Sequence, residues 1–320
     1  MPEHAGFLLE GSEFMRMKVW LGVLLLSGSA QVYADYETGL AEFRQGNFAS
    51  AVHEWREAAE QGEGQSQFAL GQMFENGSGV RASQDEAYKW YRLAAGSGSV
   101  EAQVKLAQWY LAERVEGRGV QDAIEWLQRA ADSGHAGAQF QMGLMTLEGV
   151  GLEQDEARAA RWFQLAAEQG HAPSRNNLGS LYENGRGVEQ DYARAFELFD
   201  QAARQGDAMA QSNLGALYAR GRGVEPNHAW AVFWFTMAAG NGNEVARNNI
   251  AASLPNLREQ EIAGSRVNIR QGPSTQHERV AQLERGDRVH VLGEGDGWSQ
   301  VYFEAADRPT LGWVASRLIQ

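Results

Sequence analysis

Four amide side chains recur at one fixed interval along the sequence and form a first candidate for binding chemistry. They are Gln141, Asn177, Asn213 and Asn249, each 36 residues after the previous one. A primary amide offers both a hydrogen-bond donor and an acceptor, so one amide per interval can pair with successive peptide groups of an extended chain without reading its sequence. The alternative is that these amides tie neighbouring helices together or face water. The column is therefore a candidate surface for binding a partner protein or an extended peptide.

A second candidate group lies near the C-terminus and combines aromatic, amide and cationic side chains. It comprises Asn268, Arg270, Trp298 and Trp313. Small β modules rely on aromatic side chains for burial, so packing in the core or at the edge of a barrel is one explanation for the two indoles. Partial exposure of the rings beside Asn268 and Arg270 would instead indicate a ligand groove. The sequence leaves both explanations open.

The residues that enzymes use for catalysis form no recognisable constellation in this sequence. It contains no HExxH motif, nucleophile elbow or phosphate-cradling loop, and the absence of cysteine excludes a thiol nucleophile, a disulfide or a cysteine-ligated metal. His277 and His290 lack the spacing of metal ligands, and two further histidines share a polar column that begins a helix, where capping or exposure explains them. That column is Glu63, Ser99, His135, His171, Asp207 and Asn243. We therefore predict a protein that is not an enzyme and requires no metal or cofactor.

The same 36-residue interval governs the apolar positions, and it predicts stacked helical hairpins. One apolar column consists of Leu70, Leu106, Met142, Leu178, Leu214 and Ile250, and another of Ala51, Ala87, Ala123, Ala159, Ala195 and Ala231. In the hairpin from Ser174 to Gly206, the pair Leu178 and Tyr182 lies on the apolar stripe of a first helix. A second helix begins after Asp191 as its N-cap and ends at Gly206, which can adopt a left-handed cap conformation. No single hairpin buries its stripe alone, so the units must stack.

The second helix of each hairpin is predicted to pack small and large residues at fixed positions. In the hairpin just described the buried set is Ala195, Leu198, Phe199 and Ala202. Alanine lets helix axes approach closely, and a column of large apolar residues is predicted to fill the gap to the next unit. That column is Trp90, Trp126, Trp162, Leu198 and Trp234. After Leu254 the pattern breaks at Pro255, and residues up to about Ala263 are predicted to form a capping helix.

The aligned motifs resemble the Sel1-like repeat family, which is related to the tetratricopeptide repeats. The fullest matches are Leu178-Gly179, Leu181-Tyr182, Gly185-Arg186-Gly187-Val188, Ala195 and Ala202-Ala203-Arg204-Gln205-Gly206. The resemblance spans about residues 36 to 254, with departures in the first hairpin, which has a tight Gly46-Asn47 turn, and in the hairpin from Ala102, whose loop motif moves to Gly119-Val120. It implies an all-α helical-hairpin solenoid over residues 35–263 that binds a protein or peptide partner.

Residues 264–320 change from helical periodicity to short runs rich in valine and aromatics, which predicts a small all-β barrel. The predicted strands are Val267 to Arg270, Arg279 to Leu283, Arg288 to Leu292, Ser299 to Phe303 and Leu311 to Val314. The string Val267 to Ser274, together with Gly297-Trp298 and Gly312-Trp313-Val314, resembles the bacterial SH3 (SH3b) family. This resemblance implies an SH3-like barrel of a cell-envelope protein that holds peptidoglycan or a peptide, without fixing which.

The charge of the chain argues against nucleic acid and membrane surfaces as partners. The formal net charge is −13. Residues 264–320 carry seven arginines against seven acidic residues, so nearly all of the excess negative charge belongs to residues 35–263. An acidic surface of this size repels phosphate backbones and anionic lipid.

Residues 1–34 are predicted to comprise an N-terminal extension and a signal peptide. A basic start at Arg16 and Lys18 leads into an apolar run from Val19 to Leu26, and Val32 and Ala34 suit a signal-peptidase site with cleavage after Ala34. The apolar run is far shorter than the roughly 20 residues that span a bilayer. Because cysteine is absent, lipid attachment as a lipoprotein is excluded. We expect a soluble periplasmic protein without membrane insertion after cleavage.

Two binding modules behind one signal peptide predict a non-catalytic exported adaptor. The solenoid would hold an envelope protein or extended peptide, and the SH3b module would bind peptidoglycan or a peptide, which is an arrangement suited to regulating cell-wall remodelling enzymes such as lytic transglycosylases. Two alternatives remain open. One is a structural component of an envelope secretion or motility complex, and the other is a peptidoglycan hydrolase whose catalytic site a single sequence does not reveal.

Overall fold

The computed structural model describes residues 36–320. The N-terminal extension, the predicted signal peptide and its cleavage site after Ala34 lie outside the described residues. The described chain falls into two compact units, one ending at Ser133 and the other covering Gly134–Gln320.

The first compact unit consists of helical hairpins joined by short loops. Its helices are α1 over residues 36–44, α2 Phe48–Glu60, α3 Gly64–Asn76, α4 Gln84–Gly96, α5 Val100–Leu111 and α6 Val120–Asp132. First helices begin 36 residues apart at Gly64 and Val100, and second helices do so at Gln84 and Val120. The hairpin from Val100 therefore keeps the common register even though its loop departs from the repeat motif.

The second compact unit continues the same register and then changes to strands. Its helices are α7 Ala136–Glu148, α8 Glu156–Glu168, α9 Ala172–Asn184, α10 Tyr192–Arg204, α11 Ala208–Arg220, α12 His228–Gly240 and α13 Glu244–Ser253. The predicted helical-hairpin solenoid is thus confirmed. No helix within residues 36–320 combines the length and the hydropathy needed to cross a bilayer.

Polar side chains begin these helices by accepting hydrogen bonds from first-turn amides, as the sequence predicts. First helices are capped by Glu63, Ser99, His135, His171, Asp207 and Asn243, and second helices by Ser83, Asp155, Asp191 and Asn227. His135 Nδ1 accepts from the amide of Ala138 at 3.0 Å. The interpretation of the two repeat histidines as capping groups is confirmed.

Each hairpin closes around an aromatic ring of its second helix that lies against a glycine of its first helix. A Cβ added at Gly179 would lie 2.8 Å from the Phe199 ring, closer than packed carbon atoms tolerate. The same pairing recurs as Gly71 with Tyr91, Gly143 with Phe163 and Gly215 with Phe235. In the hairpin of α5 and α6, both positions change together to Ala107 and Leu127, and both side chains are buried. The hairpin interior therefore holds a constant total volume.

Consecutive hairpins are joined where a loop glycine rests on the preceding second helix. Gly187 has φ +68°, and a Cβ there would collide with the backbone carbonyl of Glu156 at the start of α8. The neighbouring Arg186 forms an ion pair with the Glu156 carboxylate at 2.6 Å. Only glycine permits this close backbone approach at a left-handed φ.

The column predicted to fill the gap between hairpins is less buried than expected. Trp90 and Trp234 are buried, whereas Trp126, Trp162 and Leu198 are only half-buried. Leu198 packs on the cluster formed by α8 and α9, and Trp234 on the cluster of α10 and α11. The prediction that Leu198 is buried is wrong, because it lies on the outward edge of the stripe. The next residue in each hairpin is the fully buried one, namely Tyr91, Leu127, Phe163, Phe199 and Phe235.

The C-terminal residues form one antiparallel sheet of six strands. They are β1 Arg258–Glu261, β2 Val267–Arg270, β3 Arg279–Leu283, β4 Arg288–Gly295, β5 Trp298–Ala305 and β6 Arg308–Ala315, in the spatial order β1-β4-β5-β6-β2-β3. The five predicted strands are confirmed, three of them with longer bounds. One buried cluster fills the inside of the sheet, and its members include Ile269, Val301, Phe303 and Val314.

The capping helix predicted between Pro255 and Ala263 does not form. Leu254–Asn256 is one turn of 3-10 helix, and Arg258–Glu261 is a strand paired with β4. The sequence Arg-Glu-Gln-Glu favours a helix locally, but the free edge of β4 offers backbone partners, and Ile262 reaches the barrel core with no exposed surface. The barrel therefore begins before the predicted boundary at residue 264.

The barrel packs directly on the last hairpins within the second compact unit. Tyr302, which is 2% exposed, joins a buried cluster with Val232 and Phe235 of α12, and Leu292 and Leu311 pack against the same cluster. Arg247 of α13 donates a hydrogen bond to the carbonyl of Asp307. One face of α12 packs on the repeats and another packs on the sheet, which explains why this helix is apolar all round.

Candidate binding sites

The amide column lies along the first helices, but its members have different partners. Asn177 donates to the carbonyl of Pro173 in its own helix at 2.8 Å, and Asn213 donates to Asn176 Oδ1 of the neighbouring first helix at 2.9 Å. Gln141 is exposed and Asn249 is half-buried. The contact from Asn213 ties two helices together, which is the alternative stated for this column. Within the described chain, no hydrogen bond reaches the side-chain oxygen of either Asn177 or Asn213.

A second amide column with the same period is structural, and the sequence reasoning missed it. Gln67, Gln103, Gln139 and Gln211 are all buried. Gln67 and Gln211 donate to carbonyls near the end of the preceding second helix, at Ala59 and Ala203, over 3.0 and 3.1 Å. These amides satisfy helix-end carbonyls that would otherwise lack a partner. The two amide columns have the same 36-residue period, and only the burial of their side chains shows which column is structural.

The two tryptophans of the second candidate site lie on the outer face of the sheet. Trp313 pairs with Gln300 across β5 and β6, and Trp298 pairs with Ala315. Neighbouring residues along these strands, Val301 and Val314, point to the opposite face and fill the core. Both indoles are half-buried. They therefore lie outside the barrel core and are partly exposed, and the ligand groove stays a prediction.

Arg270 lies beside Trp313, and Asn268 lies farther along β2. Arg270 is the register partner of Trp313 across β2 and β6, and its guanidinium donates to the carbonyl of His277 at 2.7 Å. Asn268 is exposed, and its side-chain oxygen accepts from Gln282 at 3.1 Å. The structure thus places Arg270 opposite Trp313, whereas the side chain of Asn268 is engaged by Gln282 of β3.

The outer face of the sheet, which carries the two tryptophans, continues into the surface that packs on α12. Tyr302 lies two residues after Gln300 on β5 and pairs with Leu311 of β6. Its hydroxyl donates to Glu304 at 2.8 Å, and its ring lies 6.2 Å from that of His290. Burial and the Glu304 carboxylate raise the pKa of the Tyr302 hydroxyl, so the phenol stays protonated. One end of the outer face packs on α12, and the two tryptophans lie at the other end, where they are half-buried.

One cluster of charged side chains in the first compact unit joins neighbouring helices and has a structural role. The Glu75 carboxylate accepts from the Tyr91 hydroxyl at 2.7 Å and pairs with Lys105 at 2.8 Å and Arg114 at 3.2 Å. Burial acts to raise the pKa of this carboxyl, but the hydrogen bonds from Lys105 and Tyr91 outweigh it and lower the pKa. A carboxylate held ionised by several donors joins helices and is a poor general base. No group of His, Asp and Glu within residues 36–320 is arranged to hold a metal ion.

Comparison with known proteins assigns both parts of the chain. Five consecutive segments, residues 64–99, 100–135, 136–171, 172–207 and 208–243, match the family model described as Sel1 repeat. Residues 265–320 match the model described as bacterial SH3 domain. Each matched repeat begins at the first residue of a first helix. No curated protein matches the sequence.

Solved structures share the helical part. A Sel1 repeat protein from Oxalobacter formigenes is similar over 68% of this chain and 87% of its own, with 28% identity and a TM-score of 0.62. A protective antigen present in uropathogenic Escherichia coli strains, which displays an SLR fold, is similar over 73% of this chain with 31% identity and a TM-score of 0.64. The match covers 51% of that second protein.

Proposed function

The chain belongs to the Sel1 repeat family and ends in a bacterial SH3 domain, and on that premise we propose that it is a non-catalytic adaptor of the cell envelope. Sel1 repeats suggest protein–protein interaction, and the SH3 domain suggests binding of a second ligand. In this proposal the repeats hold an envelope protein or an extended peptide, and the SH3 domain binds peptidoglycan or a peptide.

The observation that carries the proposal is the position of Trp298 and Trp313. The barrel core is filled without them, so their half-exposed rings, of which that of Trp313 lies opposite Arg270, do not serve the core. Exposed aromatic faces flanked by a cation are suited to stacking on sugar rings or on peptide side chains, while the guanidinium pairs with a carboxylate. Peptidoglycan supplies both chemistries.

The repeats supply the second half of the adaptor. The side-chain oxygens of Asn177 and Asn213 are free to accept hydrogen bonds from the amides of an extended peptide. The acidic excess on the repeats disfavours nucleic acid and anionic lipid as the partner. Export to the periplasm through the predicted signal peptide would place both modules where cell-wall remodelling enzymes such as lytic transglycosylases act.

Binding to purified sacculi tests the SH3 half of the proposal. We expect the protein to sediment with sacculi and the double variant Trp298→Ala/Trp313→Ala to stay in the supernatant. Val280→Ser, which removes an exposed apolar side chain from β3, serves as the matched control and should bind like the unaltered protein. Sedimentation of the double variant at the unaltered level would remove the tryptophan face from the proposal.

Pull-down from envelope lysate tests the part of the proposal that concerns the repeats. The unaltered protein is compared with the double variant Asn177→Ala/Asn213→Ala. We expect a partner that the unaltered protein retains and the variant loses. If neither sacculi nor an envelope protein is retained by the unaltered protein, the adaptor proposal is wrong. Clearing of peptidoglycan by the purified protein in a zymogram would contradict its non-catalytic part.

A further inference from the structure

A cavity of about 580 Å³ opens between α8, α9 and α10 of the second compact unit. Its floor is apolar and includes Leu178 and Ala160, which are almost fully buried, and Tyr182 and Val188 form its walls. Its charged lining consists of Arg161 and Arg194 alone among the described residues. The cavity therefore combines an apolar interior with a cationic rim.

The cavity exists because one column of the repeat has a small residue at this hairpin. The residues equivalent to Ala160 in the other hairpins are Val52, Tyr88, Ile124, Phe196 and Val232, all of them larger. One hairpin later, the Phe196 ring fills this space and lies 5.3 Å from Tyr218, which is the equivalent of Tyr182. At Ala160 the corresponding volume in front of Tyr182 is open. A side chain supplied by another molecule could occupy the place that Phe196 occupies in its own hairpin.

The combination of two arginines at this rim occurs at no other hairpin of the described chain. The residue pairs equivalent to Arg161 and Arg194 each contain at most one Lys or Arg, and they are His53 with Glu86, Lys89 with Asp122, Glu125 with Arg158, and Glu197 with Trp230. Arg194 is held over the Tyr182 ring, with its guanidinium carbon 4.6 Å from the ring centre. No carboxylate within the described residues pairs with Arg161 or Arg194. On an otherwise acidic array of repeats, this pair of arginines selects for an anionic ligand.

The surroundings of the cavity favour an extended ligand over a compact one. A second depression of about 250 Å³ shares Gln164 and Arg194 with the cavity and continues between α8 and α10 toward Gln201, where its other charged lining residues are Arg175, Glu168 and Glu197. At the outer edge of the cavity, Leu165 is 44% exposed and adds apolar surface. The two depressions together form a groove along two helices of 13 residues each, which corresponds to about 20 Å of helix.

We propose that this groove is the docking site for an acidic peptide segment of a partner protein. The segment inserts one bulky apolar side chain into the space in front of Ala160 and places flanking carboxylates on Arg161 and Arg194. The inference rests on the proposed function, in which the repeats hold a peptide, and it names a site and a ligand chemistry distinct from the amide column. Charge complementarity selects this occupant over another copy of the chain, because a second copy would have to bring its own acidic surface against an array that is itself acidic.

A displayed library of random peptides, selected on the immobilised full chain, tests the inference. Enriched peptides are then synthesised, and their affinity is measured by fluorescence anisotropy for the protein and its variants. We expect an enriched pattern of a bulky apolar residue flanked by Asp or Glu. The decisive variant is Ala160→Phe, which introduces the side chain that the next hairpin accommodates as Phe196 and is expected to weaken peptide binding at least tenfold.

Charge reversal supplies a second set of variants that do not depend on filling the cavity. Arg161→Glu and Arg194→Glu introduce residues that sister hairpins already carry, and each is expected to weaken binding about tenfold, as is typical for loss of a close charge pair. Arg92→Glu, an exposed arginine of α4, is the matched control and should leave binding unchanged. Unchanged circular dichroism and melting temperature show that each variant is folded.

The outcomes separate this inference from the proposed function. Peptides that bind Ala160→Phe as tightly as the unaltered protein but fail to bind Asn177→Ala/Asn213→Ala would overturn the groove and leave the adaptor proposal standing. Absence of any enriched acidic peptide, or concentration-dependent self-association that Ala160→Phe abolishes, would overturn the groove as a peptide site. Loss of peptide binding in Ala160→Phe and both arginine variants supports it.

Discussion

His171 begins α9 with a ring nitrogen that must stay unprotonated. Its Nδ1 accepts from the amide of Ser174 at 3.3 Å, and the ring lies 5.0 Å from that of Phe140. Burial, with a smaller contribution from His135, lowers the pKa of His171. Protonation would remove the acceptor and place a positive charge at a helix N-terminus, which is unfavourable.

The lowered pKa of His171 predicts a loss of stability on acidification. Because the folded-state pKa lies below the unfolded-state value of about 6.5, the unfolded chain binds more protons as the pH falls through this window, and stability declines. We expect the melting temperature of His171→Asn to depend less on pH between about 7 and 5, since Asn243 caps α13 in the same way. Melting curves across this pH range provide the measurement. His53→Gln, on an exposed position of α2, is the control, and equal pH dependence in all three proteins would contradict the assignment.

Truncating an outer-face tryptophan is expected to lower the free energy of unfolding less than truncating a residue of the barrel core. Phe303, at 3% exposure, lies in the buried cluster of the sheet, and Phe303→Ala is expected to lower the free energy of unfolding by about 3–5 kcal/mol. Trp298→Ala removes a half-buried ring outside that cluster and is expected to cost about 1 kcal/mol. Chemical denaturation compares the two. A loss at Trp298 as large as that at Phe303 would place this indole in the core and argue against a ligand groove.

Residue types and spacing predicted the capping groups correctly, because a cap depends on local backbone geometry. They did not show which amide column is structural, since Gln211 and Asn213 are two residues apart on one helix and differ only in what packs over them. The cavity at Ala160 is visible in the sequence as one small residue in a column of larger ones. Recognising it requires knowing that this column faces Tyr182, which the structure supplies.

At the scale of the helices, the glycine in the first helix and the ring in the second act as one packing unit. Gly179→Ala pushes a methyl group into the Phe199 ring, and we expect a loss of about 1–3 kcal/mol in the free energy of unfolding. The hairpin of α5 and α6 already uses Ala107 with Leu127. The double variant Gly179→Ala/Phe199→Leu should therefore recover part of the loss.

A double-mutant cycle measures this coupling. Phe199→Leu alone leaves a void and destabilises, so the sum of the two single losses should exceed the loss of the double variant by about 1 kcal/mol or more. Gln201→Ala, at an exposed position of the same helix, combined with Phe199→Leu is the control, for which we expect simple additivity. Simple additivity of Gly179→Ala and Phe199→Leu would show that the two positions do not compensate each other.

The helices and most strands followed from periodicity, whereas two features depended on tertiary contacts. In α10 two large residues are adjacent, and the sequence predicted both Leu198 and Phe199 to be buried. The structure confirms this for Phe199 and shows that Leu198 is only half-buried. Arg258–Glu261 has helical preferences but forms a strand because β4 offers an edge. In both cases the deciding partner lies on another element, which a local pattern does not contain.

At the scale of the whole molecule, the SH3 domain occupies the place where another repeat would stack. Tyr302 fills the face of α12, so Tyr302→Ser is expected to detach the barrel while leaving its core intact. The measurement is limited trypsin digestion, in which we expect faster cleavage after Arg258, the first residue of β1, where the chain passes from the repeats into the barrel. Gln300→Ala, on the same face of β5, should digest like the unaltered protein. An unchanged digestion of Tyr302→Ser would show that this contact does not hold the barrel.

In the proposed adaptor, the packing of the sheet on α12 would determine how far from the wall a bound partner stands. A flexibly tethered adaptor samples a volume set by its linker, but here only a 3-10 turn and Leu257 separate α13 from β1. The distance between an anchor point on the barrel and a partner on the neighbouring hairpins is then a count of stacked helices, with about 10 Å added for each layer. Adding or deleting one 36-residue segment in this unit would change that height in a single step, so the repeat number acts as a molecular ruler.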